Sequence, residues 1–232
     1  MLANCFVSLN PTLYHKVVTA VQETGLVPLF THDEPDTALA VINTCAGAGV
    51  RAFEFTNRRP NSFEIFRELN KHVRTDHPDL LLGIGTVLDA GTTERYIEAG
   101  ADFIISPVMK PEMAPACHSA GVPWIPGCAT LTEIVAARDN GAGIIKIFPG
   151  SVLGPEFVRS ILPVIPDLKL MITGGVEPTE ESITRWFDAG AFCVGLGSQL
   201  FTKDVILHKD WETLSKSVSG ALSVIRHYHS RK

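Results

Sequence analysis

The chain has 232 residues, 45% of them hydrophobic, and a net charge of −5. That is enough apolar material for one full-sized core, so a single domain over residues 1–232 is expected. Charges of both signs are interspersed without a basic block or a basic–aromatic stripe, which excludes a nucleic-acid partner, and no apolar run approaches the roughly 20 residues of a bilayer span, which excludes a membrane-spanning segment.

Five cysteines (Cys5, Cys45, Cys117, Cys128 and Cys193) are scattered, with no C-x-x-C pair and no Cys/His cluster at zinc spacing. The pattern fits reduced, buried thiols in a cytoplasmic protein better than a disulfide frame. Met1 to Asn10 has neither a basic leader nor a long apolar segment, so no signal peptide is expected.

In chain order, Tyr14–Thr24 predicts a helix closing the bottom of a barrel. Apolar runs follow near Leu26–Phe30, Ala52–Thr56, Leu80–Thr86, Phe103–Ser106, Pro123–Pro126, Ile144–Phe148, Lys169–Thr173 and Phe192–Gly195. None alternates with polar residues over any length, as expected for parallel strands covered on the outside by helices. Between them lie helical patterns such as Pro35–Ala48, Asn61–Thr75, Ala90–Ala99 and Thr179–Ala189, and Thr130 with Glu133 forms a capping-box start. Several helical stretches stop at a small-residue motif whose centre is Gly49, Gly100, Gly121, Gly141 or Gly190, the expected helix-ending glycine. Eight such units predict an α/β fold, a (β/α)8 TIM barrel over about residues 26–203, with an extra N-terminal helix at about 11–24 and a C-terminal helix at about 204–228.

Barrel sites lie at the C-terminal ends of the strands, so inward polar residues there carry the functional signal. Lys146 stands in the middle of Ile144–Phe148, and lysine is rarely buried without a partner or a use. Desolvation lowers an amine's pKa, and a neutral amine can add to a carbonyl to form a Schiff base. Alternation on the second strand sets Ala52, Glu54 and Thr56 on the face opposite Phe53 and Phe55. The bulky phenylalanines suit the helix side, which turns Glu54 inward toward Lys146, with Arg58 at the mouth. A structural ion pair, or a lysine that reaches out to solvent, is the plainer alternative.

Thr86 ends the third strand after Gly85, where its hydroxyl can bond a carboxylate or cap the next helix. Ser106-Pro107 and Pro126-Gly127 shape the walls. Thr173-Gly174-Gly175 and Gly197-Ser198 end the seventh and eighth strands, where barrels commonly hold phosphate on bare amides. His32, Asp33 and Glu34 are adjacent and fit a solvated loop; no metal site is expected.

Taken in order, the segments Glu54-Phe55-Thr56-Asn57-Arg58, Gly85-Thr86-Val87-Leu88, Ile105-Ser106-Pro107, Ile125-Pro126-Gly127, Lys146-Ile147-Phe148-Pro149, Thr173-Gly174-Gly175 and Gly197-Ser198 resemble the 2-keto-3-deoxy-6-phosphogluconate (KDPG) and 4-hydroxy-2-oxoglutarate (KHG) aldolases. The resemblance runs from about Leu26 to Phe201. It implies a cofactor-free and metal-free class I aldolase, usually a homotrimer, acting on a keto-acid sugar phosphate and releasing pyruvate. By the resemblance, Lys146 forms the Schiff base and Glu54 moves protons through a bound water. Arg58 and Thr86 hold the pyruvyl carboxylate, Pro107 and Phe148 line the pocket, and Gly174, Gly175 and Ser198 hold the distal phosphate. Two departures from the family's usual pattern stand out: Asn57 with a second cation, Arg59, on the second strand, and Gly150–Pro155 after the sixth. Two other readings remain: a sugar-phosphate isomerase or epimerase that does without the imine, and a non-catalytic sugar-acid-binding barrel.

Overall fold

The structure is a computed structural model and describes residues 11–231. Cys5 and the leader expectation for Met1 to Asn10 lie outside the described residues. Helix α1 (Pro11–Thr24) precedes strand β1 (Leu26–Phe30), after which strands and helices alternate. They run α2 (Pro35–Gly47), β2 (Ala52–Thr56), α3 (Ser62–Asp76), β3 (Leu81–Gly85), α4 (Ala90–Glu98), β4 (Ile104–Ile105) and α5 (Ala114–Ala120). The second half runs β5 (Trp124–Ile125), β6 (Gly127–Cys128), α6 (Leu131–Asp139), β7 (Ile145–Ile147), α7 (Gly150–Ile161), β8 (Leu170–Thr173), α8 (Glu180–Asp188) and β9 (Cys193–Leu196), ending in α9 (Lys203–Leu207) and α10 (Trp211–Ser230).

All pairings are parallel, in the order β5-β4-β3-β2-β1-β9-β8-β7-β6. The nine segments occupy eight barrel positions, because β5 and β6 are one ribbon divided at Pro126. Proline has no N–H to give to a ladder. Its carbonyl still accepts from Lys146 N at 2.9 Å, and Ile125 O accepts from Ser106 N at 3.1 Å, so the ribbon joins both edges. The eight expected strands are therefore all present in a closed (β/α)8 arrangement.

Alternation sorts the strand residues as expected. Phe53, Phe55, Ile145, Ile147, Leu170 and Ile172 belong to the core between strands and helices. Ala52, Phe103, Ile105, Ile125, Ile144, Met171 and Cys193 form a second cluster in the barrel interior, sealed from below by Val17, Ala20 and Val21 of α1. The interior is tight there: a Cβ on Gly83 would collide with the Phe103 ring.

The helix-ending glycines behave as expected; Gly49, Gly100, Gly121, Gly141 and Gly190 have φ of 102°, 89°, 66°, 82° and 100°. One expectation needs correction. The segment after β9 is two helices rather than one, because Lys209 takes a left-handed φ of 52° and Asp210 restarts the helix by accepting from Thr213 N at 3.0 Å. Asp210 with Thr213 caps a helix start, a local signal that overrides the helical pattern running through it.

Candidate active site

Lys146 on β7 and Glu54 on β2 face each other across the lumen. Their strands are four places apart in the sheet order, yet Lys146 Nζ lies 3.8 Å from Glu54 Oε1. Lys146 is 3% exposed and Glu54 0%. Burial holds the lysine below the ordinary ammonium range; Glu54 opposes that shift and Arg58 adds to it. Burial also pushes the Glu54 carboxyl up, against the pull of Lys146 and Arg58. Both shifts favour the neutral forms, as desolvation of a pair in apolar surroundings dictates. Neither carboxylate oxygen of Glu54 has a hydrogen-bond partner within the protein. Glycine at position 85 is what admits the carboxylate, since a Cβ there would collide with Oε1.

At the C-terminal ends of the strands opens a cavity of about 470 Å³, lined in part by Arg58, Phe148, Thr173, Gly174, Gly175 and Ser198. A larger groove of about 670 Å³ lies at the opposite end, between α1 and a rim containing Arg51, Arg74 and Asp102. That N-terminal face serves stability rather than chemistry in barrels, and the smaller cavity is the one at the strand ends, reaching Lys146 through Phe148. The Phe148 ring centroid is 5.3 Å from Lys146 Nζ.

Arg58 Nε donates to Thr86 Oγ1 at 3.1 Å. Thr86 has φ +60°, uncommon for a β-branched residue and characteristic of functional positions where surrounding contacts hold the strain. Its hydroxyl does not cap the next helix: Asp89 does, accepting from Thr92 N at 2.7 Å. Pro107 is not among the residues lining the cavity. Its backbone packs on Gly127, the residue in register with Lys146, and a Cβ on Gly127 would collide with the Pro107 carbonyl group.

At the far end of the cavity Gly174 and Gly175 have φ of 86° and 74°. They interlock with the start of α7: a Cβ on Gly175 would lie 2.6 Å from Ser151 Cα, and one on Gly150 2.5 Å from Gly174 O. The Gly150–Pro155 departure is thus part of this wall, and α7 kinks at Gly154, where φ is 73° and ψ 166°. Ser198 lies on the adjoining turn. The second departure resolves away from the cavity. Arg59 pairs with Asp33 at 3.6 Å, and Asn57 accepts from Tyr96 Oη at 2.9 Å. His32 and Glu34 also have local partners, His32 Nδ1 accepting from Glu34 N and a Glu34 carboxylate oxygen accepting from Thr37 Oγ1.

Two cavity residues with buried hydroxyls that have no partner in the protein, Thr31 and Thr173, were not singled out from the sequence. Thr173 is 5% exposed. The register signal existed: Met171, two residues before it, belongs to the interior cluster, so Thr173 faces the same way.

A desolvated amine opposed to a carboxylate, with an open cavity at the strand ends, is an arrangement suited to Schiff-base chemistry on a barrel. The comparisons narrow this class. A family profile described as KDPG and KHG aldolase matches residues 17–217. The 2-dehydro-3-deoxy-6-phosphogalactonate aldolase of Escherichia coli K12 is 32% identical over 177 residues, 76% of this chain and 84% of that protein. The 2-dehydro-3-deoxy-phosphogluconate aldolase of Pseudomonas aeruginosa is 29% identical over 212 residues, 89% of this chain and 92% of that one. The KDPG aldolase of Legionella pneumophila, solved with pyruvate captured as a covalent carbinolamine, superposes with a TM-score of 0.80 at 25% identity, covering 88% of this chain and 97% of the other. The chain belongs to the KDPG and KHG aldolase family.

Proposed function

We propose that this protein is a class I aldolase that reversibly cleaves a 2-keto-3-deoxy-6-phospho sugar acid into pyruvate and glyceraldehyde 3-phosphate. A shorter keto acid, 4-hydroxy-2-oxoglutarate, yields pyruvate and glyoxylate by the same route. The carrying observation is the buried Lys146–Glu54 pair, whose burial favours an uncharged amine.

In the cleavage direction, Lys146 adds to the keto carbon and water leaves as the imine forms. Glu54, directly or through one water, takes the proton of the hydroxyl β to that carbon. The carbon–carbon bond breaks, its electron pair passes into the protonated imine, and the aldehyde departs. The resulting enamine is then protonated and hydrolysed to pyruvate, restoring the amine. Arg58, oriented on Thr86, supplies the cation for the carboxylate end of the substrate. Phe148 covers the amine. Gly174, Gly175 and Ser198 offer amides and a hydroxyl to the distal phosphate, a role supported by the paired left-handed glycines. Thr173 supplies an unpartnered hydroxyl to the polyol between the two ends. Because the imine itself is the electron sink, chelators are expected to leave the rate unchanged.

The test is borohydride reduction in the presence of pyruvate followed by peptide mass analysis. A reduced adduct on Lys146, absent in Lys146→Met, is expected; wild-type protein without an adduct ends this reading.

We also infer a homotrimer working in the cytoplasm. Exposed apolar residues, Leu88 and Val108 on loops and Leu131 at the start of α6, support self-association, and the four cysteines among the described residues, all buried free thiols, suit a reducing compartment. Among the described residues, no helix is long and apolar enough to cross a membrane. Light scattering at a monomer mass would remove the trimer.

A further inference from the structure

We propose that Asn57 and Tyr96 form a positioning pair that fixes the end of β2 and thereby aims Arg58 into the cavity; the proposal rests on the aldolase reading above. Arg58 is an exposed, many-rotamer side chain, so its usefulness as a carboxylate clamp depends on how firmly its backbone is held. The last β2–β3 rung is Asn57 N donating to Gly85 O at 2.8 Å, and directly after it Arg58 N donates back to Thr56 O at 2.9 Å. The chain therefore turns at the residue before Arg58.

Around this turn the side chains divide by parity. Thr56 and Arg58 face the cavity, while Asn57 points the other way, toward α4. There its Oδ1 accepts from Tyr96 Oη at 2.9 Å. Tyr96 is 1% exposed, and its ring sits edge-on to Phe63 and Phe66 with centroids 5.3 and 5.2 Å away. A phenol anchored that deeply offers a fixed point, and its hydroxyl needs an acceptor. Burial pushes the Tyr96 pKa up to about 12, so it stays a donor at all working pH values.

The neighbouring tie is weaker. The Arg59–Asp33 pair has both side chains about half exposed, at 51% and 54%, and contributes little in high dielectric. Buried Ser62 holds the backbone on either side, its Oγ accepting from Arg59 N at 3.0 Å and donating to Thr56 O at 3.5 Å, so Asn57–Tyr96 is the tie made by the side chain of the turn residue itself, matched on the inner side by Arg58 with Thr86. Neither Asn57 nor Tyr96 lines the cavity. They act only through Arg58.

The experiment measures the pyruvate concentration that half-saturates borohydride trapping, with melting temperature, for wild type, Asn57→Leu, Tyr96→Phe, the double variant, and Tyr96→Phe in an Arg58→Gln background. Loss of the tie is expected to raise half-saturation about three- to tenfold in each single variant, with the trapping rate at saturation nearly unchanged. The double variant, which leaves no orphaned polar group, should recover melting temperature and keep the raised half-saturation. In the Arg58→Gln background the Tyr96 change should add no further shift. A lowered melting temperature with unchanged half-saturation, or an equal shift in the Arg58→Gln background, would overturn the proposal. Wild-type protein that fails to trap pyruvate removes the aldolase reading and this one with it.

Discussion

Two buried carboxylates sit at opposite ends of the barrel, one on its lower rim and one in its lumen, and are treated differently. Asp102, at the N-terminal end of β4, is 8% exposed and fully engaged: it accepts from Leu82 N at 2.7 Å and pairs with Arg74. Glu54, near the C-terminal end, is 0% exposed and has a cation 3.8 Å away but no hydrogen bond. Burial raises both pKa values. Only Asp102 receives hydrogen bonds that offset the cost of its charge. The structural carboxylate comes with its donors, whereas Glu54 has its oxygens uncommitted, as the proton-transfer role proposed for it requires. The same division runs through the interior, which is packed with apolar side chains below and carries the Lys146–Glu54 pair above.

The largest expected effect breaks the upper carboxylate. Glu54→Gln keeps the shape and removes the base, so aldol cleavage should fall by about 10²–10⁴-fold, measured by coupled pyruvate release. Melting temperature near neutral pH should fall, because Lys146 loses the carboxylate that opposes its desolvation and must shed its proton to stay buried. Cleavage within a few-fold of wild type would place the base elsewhere.

Replacing the whole pair sharpens the contrast. Glu54→Leu with Lys146→Met swaps two desolvated charges for apolar groups and should stabilise the fold by about 1–4 kcal/mol in urea melts, without any activity. Lys146→Met alone should behave differently. Glu54 then loses its nearest cation, and its already raised pKa rises further. Between the unfolded and folded pKa values the folded state holds a proton that the unfolded state has released. Stability must therefore fall as pH climbs from the ordinary carboxylate range through the raised folded pKa. The double variant should lack that slope in melting temperature against pH; a slope shared by both would assign it to another group.

Much of this arrangement was legible beforehand because its signals are local. Left-handed glycines ended the helices, apolar runs marked the strands, and strand parity alone turned Glu54 and Lys146 inward. What escaped depends on contacts that no local pattern carries. Pro126 interrupts the ladder of the fifth strand, and the ribbon's continuity there lies in its carbonyls. The break at Lys209 loses to the surrounding helical periodicity. Thr173 sits in a motif dominated by its glycines, and its importance emerges only when its hydroxyl is found buried without a partner. Asn57 and Arg59 flank Arg58 in sequence and invite a substrate role, but their partners, Tyr96 and Asp33, lie 39 and 26 positions away.

The lower carboxylate supplies the smallest effect and the sharpest control. Asp102→Ala removes the acceptor for the buried Leu82 N–H and the partner of Arg74. The amide loses its bond inside the barrel, while the Arg74 side chain, 39% exposed, can turn to water. The cost should therefore be about 1–3 kcal/mol rather than the full penalty of stranding a buried ion. Because Leu82 belongs to β3, whose far end carries Gly85 and Thr86, a loosened strand could also reach the site. If the two ends are energetically separate, denaturant melts will show the loss while kcat and KM per folded molecule stay at wild-type values. A change in KM matching the loss of stability would show instead that β3 transmits disorder along its length, and that the barrel's structural and chemical ends are one unit.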